Sequence, residues 1–166
     1  YSGNTYNAGN ACQNFWQYRY KGILRCNVAI EKIPYVNFAD ESLKKRYIAE
    51  AKFIRAFHYF ELVKNFGGMP LVTGLKMPSE LRDIKRSSVG ETYAMIEQDL
   101  IDAIPDLPKR SEYSSADAGR ATQGAAQGYL AKEYLYQEKY SEAEAELKKV
   151  IGKDPQYSPG DYTLLT

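Results

Sequence analysis

The chain has 166 residues, 44% of them hydrophobic, enough for one sizeable core and too apolar for a disordered segment. Its 22 basic and 21 acidic residues leave a net charge of +1. That balance excludes the basic footprint of a nucleic-acid binder and an acidic tail, and no apolar run is long enough to cross a membrane as a helix.

In chain order, "YSGNTYNAGNACQN" is rich in Asn and Gly, lacks periodicity and is expected to be loop over 1–14. From Phe15 to Ile33 the pattern becomes helical. Trp16, Tyr20, Ile23, Cys26 and Ile30 share one stripe, and Pro34 is the stop. The second helix is expected from about Glu41 to Phe66, with Asp40 as N-cap. Tyr47, Ala51, Ile54, His58 and Leu62 form one apolar stripe on it, and Phe53, Phe57, Phe60 and Val63 form another. A helix apolar on two sides is buried between neighbours. Gly67 and Gly68 can end it in the left-handed conformation, and Pro70 prevents continuation. "MPLVTG" reads as a short extended segment, followed by a polar loop to Arg86.

Ser88 and Glu91 match a capping box that opens the third helix. Tyr93, Ile96, Leu100 and Ile104 line its buried stripe, and Pro105 and Pro108 close it. "KRSEYSSADAG" is a polar loop. The fourth helix starts after Thr122 and runs to about Tyr136. The fifth carries Ser141 and Glu144 as a second expected capping box, buries Ala143, Leu147 and Val150, and stops at Gly152 and Pro155. No strand longer than a few residues is indicated. The expected fold is all-α, built from antiparallel helix pairs.

From Leu130 to Pro155 the order of large and small residues follows the tetratricopeptide pattern. Leu130, Ala131, Tyr134, Tyr140, Ala143, Leu147 and Val150 occupy its positions. A small residue on one helix admits a large one from its partner, so the two lock as a hairpin. Gln127 stands where the repeat prefers tryptophan and Glu138 where it prefers glycine. The array is therefore expected to be degenerate.

Little in the chain suggests catalysis. His58 is the single histidine, so there is no histidine pair for a metal; the Gly-x-Ser-x-Gly elbow, the Cys-His signature and the phosphate loop are missing too. His58 shares a stripe with Ile54 and Leu62 and is read as a structural residue, not a general base. Glu50 and Arg55 are read as structural partners. Asp99 and Asp102, like Glu142, Glu144 and Glu146, fall on expected solvent faces, where lysines such as Lys148 and Lys149 pair with them. Cys26 is expected on a buried helix face and Cys12 in a loop; a disulfide between them is the alternative. Trp16 is read as core, with a sugar-stacking platform as the alternative. Fifteen tyrosines exceed what a core of this size needs. Tyr1 and Tyr6 with Asn4 and Asn7 are the candidate ligand-binding residues, because a flat ring stacks on a sugar face while amides bond its hydroxyls.

Four ordered segments resemble the SusD/RagB family of outer-membrane nutrient-binding lipoproteins. They are "WQYRYKGILRCNVAIEKI", "YIAEAKFIRAFHYFELVKNFGGMPLV", "ETYAMIEQDLIDAIPDLP" and "GRATQGAAQGYLAKEYLYQEKYSEAEAELKKVI". The resemblance covers about Phe15 to Ile151. It implies a tetratricopeptide-like right-handed solenoid of helix pairs, a lipid-anchored place on the bacterial surface, and a SusC-like TonB-dependent transporter as partner. It also implies a glycan ligand, or a peptide in some branches, with neither catalysis nor a cofactor. Typical members are much longer. The chain, which starts at Tyr1 without initiator methionine or signal peptide, is thus expected to be a single helical domain of a longer protein. The lipid anchor is expected outside this chain, and 152–166 as a loop leading to a C-terminal part. A tetratricopeptide scaffold that binds protein or peptide, with no nutrient role, is the alternative function.

Overall fold

A computed structural model describes residues 8–151. Helix α1 spans Ala8–Lys32 and α2 spans Glu41–Phe66. A short α3, Pro78–Leu81, interrupts the loop that follows. Helix α4 spans Val89–Ala103, α5 Gln123–Tyr136 and α6 Tyr140–Ile151. Among the described residues there is no strand, only one antiparallel bridge between Pro70 and Arg86. Helix α1 pairs with α2, α2 with α4, α4 with α5, and α5 with α6. This is the expected all-α array of tetratricopeptide-like pairs, with one short helix added to the five long ones.

Helix α2 is the central element, and its ends follow its sequence. Asp40 accepts from the backbone N–H of Ser42 and Leu43, satisfying donors that an N-terminus leaves free. At the other end Gly67 adopts φ 70° and donates its N–H to the Val63 carbonyl. Only a residue without a Cβ enters that conformation freely. Helix α4 starts on the reciprocal Ser88–Glu91 box, as expected.

The core is assembled around α2. Tyr59, Phe60 and Leu62 are fully buried, with Ile23 from α1, Ile96 and Leu100 from α4, and Leu130 from α5. Each such apolar side chain contributes roughly 1.5–3 kcal/mol by leaving water. Tyr129 of α5 stands edge-on to Phe53, Phe57 and Phe60 at 5.6, 5.7 and 6.1 Å, which joins α5 to α2 through rings.

Five expectations need correction. The first helix begins at Ala8, not Phe15; residues 11–14 are exposed, so these turns carry no apolar stripe to read. Cys12 is therefore helical, and both it and buried Cys26 are free thiols. On α2 the inward face runs through Ala51, Arg55, Tyr59 and Leu62; Ile54 is 43% exposed, and His58 is only half-buried. Asp99 is 4% exposed, not on a solvent face. Ser141 caps nothing: the Lys139 carbonyl already accepts the Ala143 N–H, so Ser141 lies inside α6 and donates to Glu142. Leu147 is 39% exposed, because among the described residues α6 has only α5 to pack on. The expected loop at 152–166 lies outside the described residues.

Candidate functional site

The most constructed polar feature is the seat of residues 68–75. This extended segment has carbonyls and N–H groups that no sheet satisfies, and buried backbone groups need partners. Side chains from α1 and α2 supply them. The Tyr20 hydroxyl donates to Pro70 O at 2.7 Å. The Tyr59 hydroxyl accepts from Val72 N at 2.7 Å and donates to Val72 O at 3.2 Å. Asn27 Nδ2 donates to Val72 O at 2.7 Å, and Glu31 accepts from Leu75 N at 2.5 Å. Arg55 Nη1 donates to Thr73 O and to Asn27 Oδ1, each at 2.8 Å.

Behind this seat Arg55 forms a two-pronged ion pair with Asp99 of α4. Nε and Nη2 each reach a carboxylate oxygen at 2.7 Å. Burial pushes the Asp99 carboxyl up, and Arg55 pulls it back. Burial works to lower Arg55, yet the hydrogen bonds and charge of Asp99 outweigh it and hold Arg55 above its ordinary value. The two directions conflict over the state of Asp99, and the geometry decides. Two guanidinium N–H groups aimed at separate oxygens fit a carboxylate, so Asp99 is ionised. The cluster uses all its polar groups on structure; it presents no nucleophile.

His58 points at α1. Its Nδ1 lies 3.4 Å from Arg19 Nη1, and a side-chain carbon at Gly22 would overlap its ring. Burial, with Arg19 adding to it, lowers its pKa, so the imidazole is neutral at pH 7. This is a packing contact at the rim of a 400 Å³ groove that also includes Arg25, Cys26, Ala29 and Ile54. Burial pushes the Cys26 thiol up to about 11, which makes it a poor nucleophile. Among the described residues no group of three or more His, Cys, Asp or Glu could hold a metal ion, and no helix is long and apolar enough to cross a membrane.

A polar cleft lies on the loop before α5. It measures about 410 Å³ and includes Arg110, Tyr113, Ser114, Asp117 and Arg120. Tyr113 donates to Ala121 O at 2.8 Å; burial, with Glu50 adding to it, pushes its pKa up to about 12. Arg120 is fixed by Asp117 and Glu50, both at 2.8 Å. Nothing in the local pattern of "KRSEYSSADAG" signalled this cleft, since Glu50 lies far away in sequence. Trp16 packs between Tyr20 and Phe66, with ring centroids 4.8 and 5.1 Å away, at the edge of the core; it is only partly buried and lines a surface pocket with Phe66, Pro70 and Arg86. The ligand-binding candidates Tyr1, Asn4, Tyr6 and Asn7 lie outside the described residues. Of the other carboxylates, Asp102 pairs with Lys52, Glu144 with Lys148 and Glu146 with Lys149.

Comparison with known proteins gives a consistent answer. Residues 2–135 match the SusD-like family model described as starch-binding and associating with the outer membrane. A SusD-like protein of Formosa agariphila is 33% identical over 144 residues, which cover 86% of this chain and 28% of that protein. A solved laminarin-binding SusD-like protein is 41% identical, with a TM-score of 0.84 over 91% of this chain and 32% of its own. A SusD-like protein of Bacteroides fragilis is 32% identical, with a TM-score of 0.78 over 87% and 29%. The chain thus spans between a quarter and a third of the length of these three relatives. With the family match running from the segment before α1 almost to the end of α5, the chain belongs to the SusD-like family.

Proposed function

We propose that the protein carrying this chain binds a glycan at the bacterial surface without altering it, and passes it to a SusC-like TonB-dependent transporter in the outer membrane. The supporting observation is the 41% identity to a laminarin-binding protein across 91% of this chain. Laminarin is a β-linked glucan, so a β-glucan is the ligand class to test first. The lipid anchor and most of the ligand surface belong to parts outside this chain. Within it, Tyr1 and Tyr6 supply stacking rings, and Asn4 and Asn7 supply amides for sugar hydroxyls.

The test is titration calorimetry with laminarin and amylose, run on the longer protein and on its Tyr6→Ala variant. Laminarin is expected to bind, with the variant weaker by up to about tenfold, the worth of one aromatic contact. Failure to bind laminarin overturns the ligand class, whether or not amylose binds; an unaltered affinity in Tyr6→Ala overturns the residue assignment. Co-purification of a barrel transporter from the outer membrane in mild detergent is the expected result for the partner, and its absence removes the delivery role.

A further inference from the structure

Glu133 lies on α5 where that helix packs on α4, and it has no exposed surface. Its Oε1 accepts from Gln137 Nε2 at 2.5 Å. The same amide nitrogen donates to Glu97 Oε1, on α4, at 2.8 Å. One amide therefore bridges two carboxyl groups. The lysine that reaches them, Lys139, is bonded to Glu97 Oε1 at 2.5 Å. No N–H or O–H group donates to Glu133 Oε2, and the carboxyl that a protonated Glu133 can bond is that of Glu97.

An ionised Glu133 would place a second negative charge beside Glu97 without a cation of its own, and would leave a charged oxygen buried and unbonded. A protonated Glu133 keeps the bond from Gln137 and removes the charge. The other groups on this side do not neutralise it. Tyr93 faces it from α4, and Tyr134 and Tyr136 stand on α5 itself. Glu142 and Glu146 of α6 act on the neighbouring Tyr134 and bring no positive charge to Glu133. Helix α2 presents the apolar Phe60 ring to Tyr93 and Tyr136.

The location gives this pair a mechanical consequence. Gln137 and Lys139, the two groups that reach across to α4, both sit in the turn between α5 and α6. The residue between them, Glu138, holds φ 61°, a conformation that costs a residue with a Cβ. Helix α6 packs on α5 and buries only Ala143 fully, so the turn adds to how it is seated.

We propose that Glu133 is a proton-dependent clasp, which holds the α5–α6 turn against α4 while it carries a proton and loosens that turn when the proton leaves. Burial, reinforced by the charge of Glu97, pushes its pKa up to about 8 from an ordinary 4.5. The folded state keeps a proton that the unfolded state has already lost. The clasp is therefore fully effective below about pH 4.5, weakens as pH rises, and is spent once pH has passed about 8.

Carbon-13 NMR of the glutamate carboxyls reads the proton directly, and hydrogen exchange reads the turn. In the intact protein one buried glutamate, absent from the spectrum of Glu133→Gln, is expected to titrate well above 6. Protection of the amides at 137–143, corrected for intrinsic exchange, should fall at least about tenfold from pH 5 to pH 9, with α2 unchanged. Glu133→Gln, neutral and of the same shape, should lose that pH dependence. A Glu133 carboxyl titrating near 4.5 overturns the proposal without any variant having to fold. So does a loss of protection at 137–143 that is the same in both proteins.

Discussion

Arg55 is the residue on which three chain segments depend. It bonds Asp99 on α4, Asn27 on α1 and the Thr73 carbonyl at once. Removing one partner of a buried pair leaves an uncompensated charge, which costs about 3–5 kcal/mol. Arg55→Met is expected to lose that much in urea denaturation. A double variant that also carries Asp99→Leu should recover part of it, because the stranded carboxylate is then gone. His58 gives a separate prediction with a definite sign. Its pKa lies below the ordinary 6.5 in the folded chain, through burial first and Arg19 second. The unfolded chain therefore takes up a proton first, and the contribution of His58 to stability is lost as pH falls through 6.5 toward the lower folded value. His58→Gln should flatten that acid limb of the stability profile; an identical limb in the variant would falsify the assignment. From the sequence His58 reads as a packing residue on a stripe shared with Ile54 and Leu62, whereas the structure seats it half-buried against Arg19 and Gly22 of α1, with Ile54 exposed. Nor does the sequence reveal Asp99, whose partner is 44 positions away. Spacing within one helix carries no information about a charge arriving from another.

At the scale of the element, the features that were readable are those decided locally. Asp40 and the Ser88–Glu91 box bond backbone groups within three residues of themselves. Their effect is written where they stand. The second expected box, at Ser141, failed because the turn before α6 is closed by backbone alone, through Gln137, Glu138 and Lys139 N–H groups bonded to Tyr134 and Leu135 carbonyls. That closure places Glu138 at φ 61°, the position where a tetratricopeptide repeat prefers glycine. The pattern thus located the turn correctly even though its residue departs from the preference. Replacing a residue with a Cβ by glycine in this region relieves roughly 1–2 kcal/mol of steric cost and adds about 0.5–1 kcal/mol of unfolded-chain entropy. Glu138→Gly is expected to be neutral to stabilising by about 1 kcal/mol in thermal unfolding. A clear loss of stability would mean that the glutamate side chain supports the turn in some other way. The apolar stripes of α2 were harder to orient, for a physical reason: with Phe53, Ile54, Phe57, His58 and Phe60 spread around the helix, no single face dominates. Which residues turn inward is decided by what packs on the helix, namely α1, α4, α5 and the seat for 68–75.

For the whole molecule, the array predicts a gradient of stability from centre to edge. Helix α2 is packed on by α1, α4 and α5, while α6 is packed on by α5. The middle of α2 contains Tyr59, Phe60 and Leu62, all fully buried, and α6 contains Ala143 as its one buried residue. Local opening costs free energy in proportion to the burial it undoes, so helices at an edge open without disturbing the rest. Native-state hydrogen exchange in mild denaturant should find amides from Arg55 to Val63 exchanging only through global unfolding, and those of α6 through a smaller local opening. Helix α4, tied to α2 by the Arg55–Asp99 pair, should exchange with α2. Among the described residues, α6 leaves Tyr140 65% and Leu147 39% exposed. Exchange from α6 as slow as from the centre of α2 would show that its stability comes from contacts other than α5 and the Gln137–Lys139 turn, and the edge-to-centre ordering would have to be abandoned.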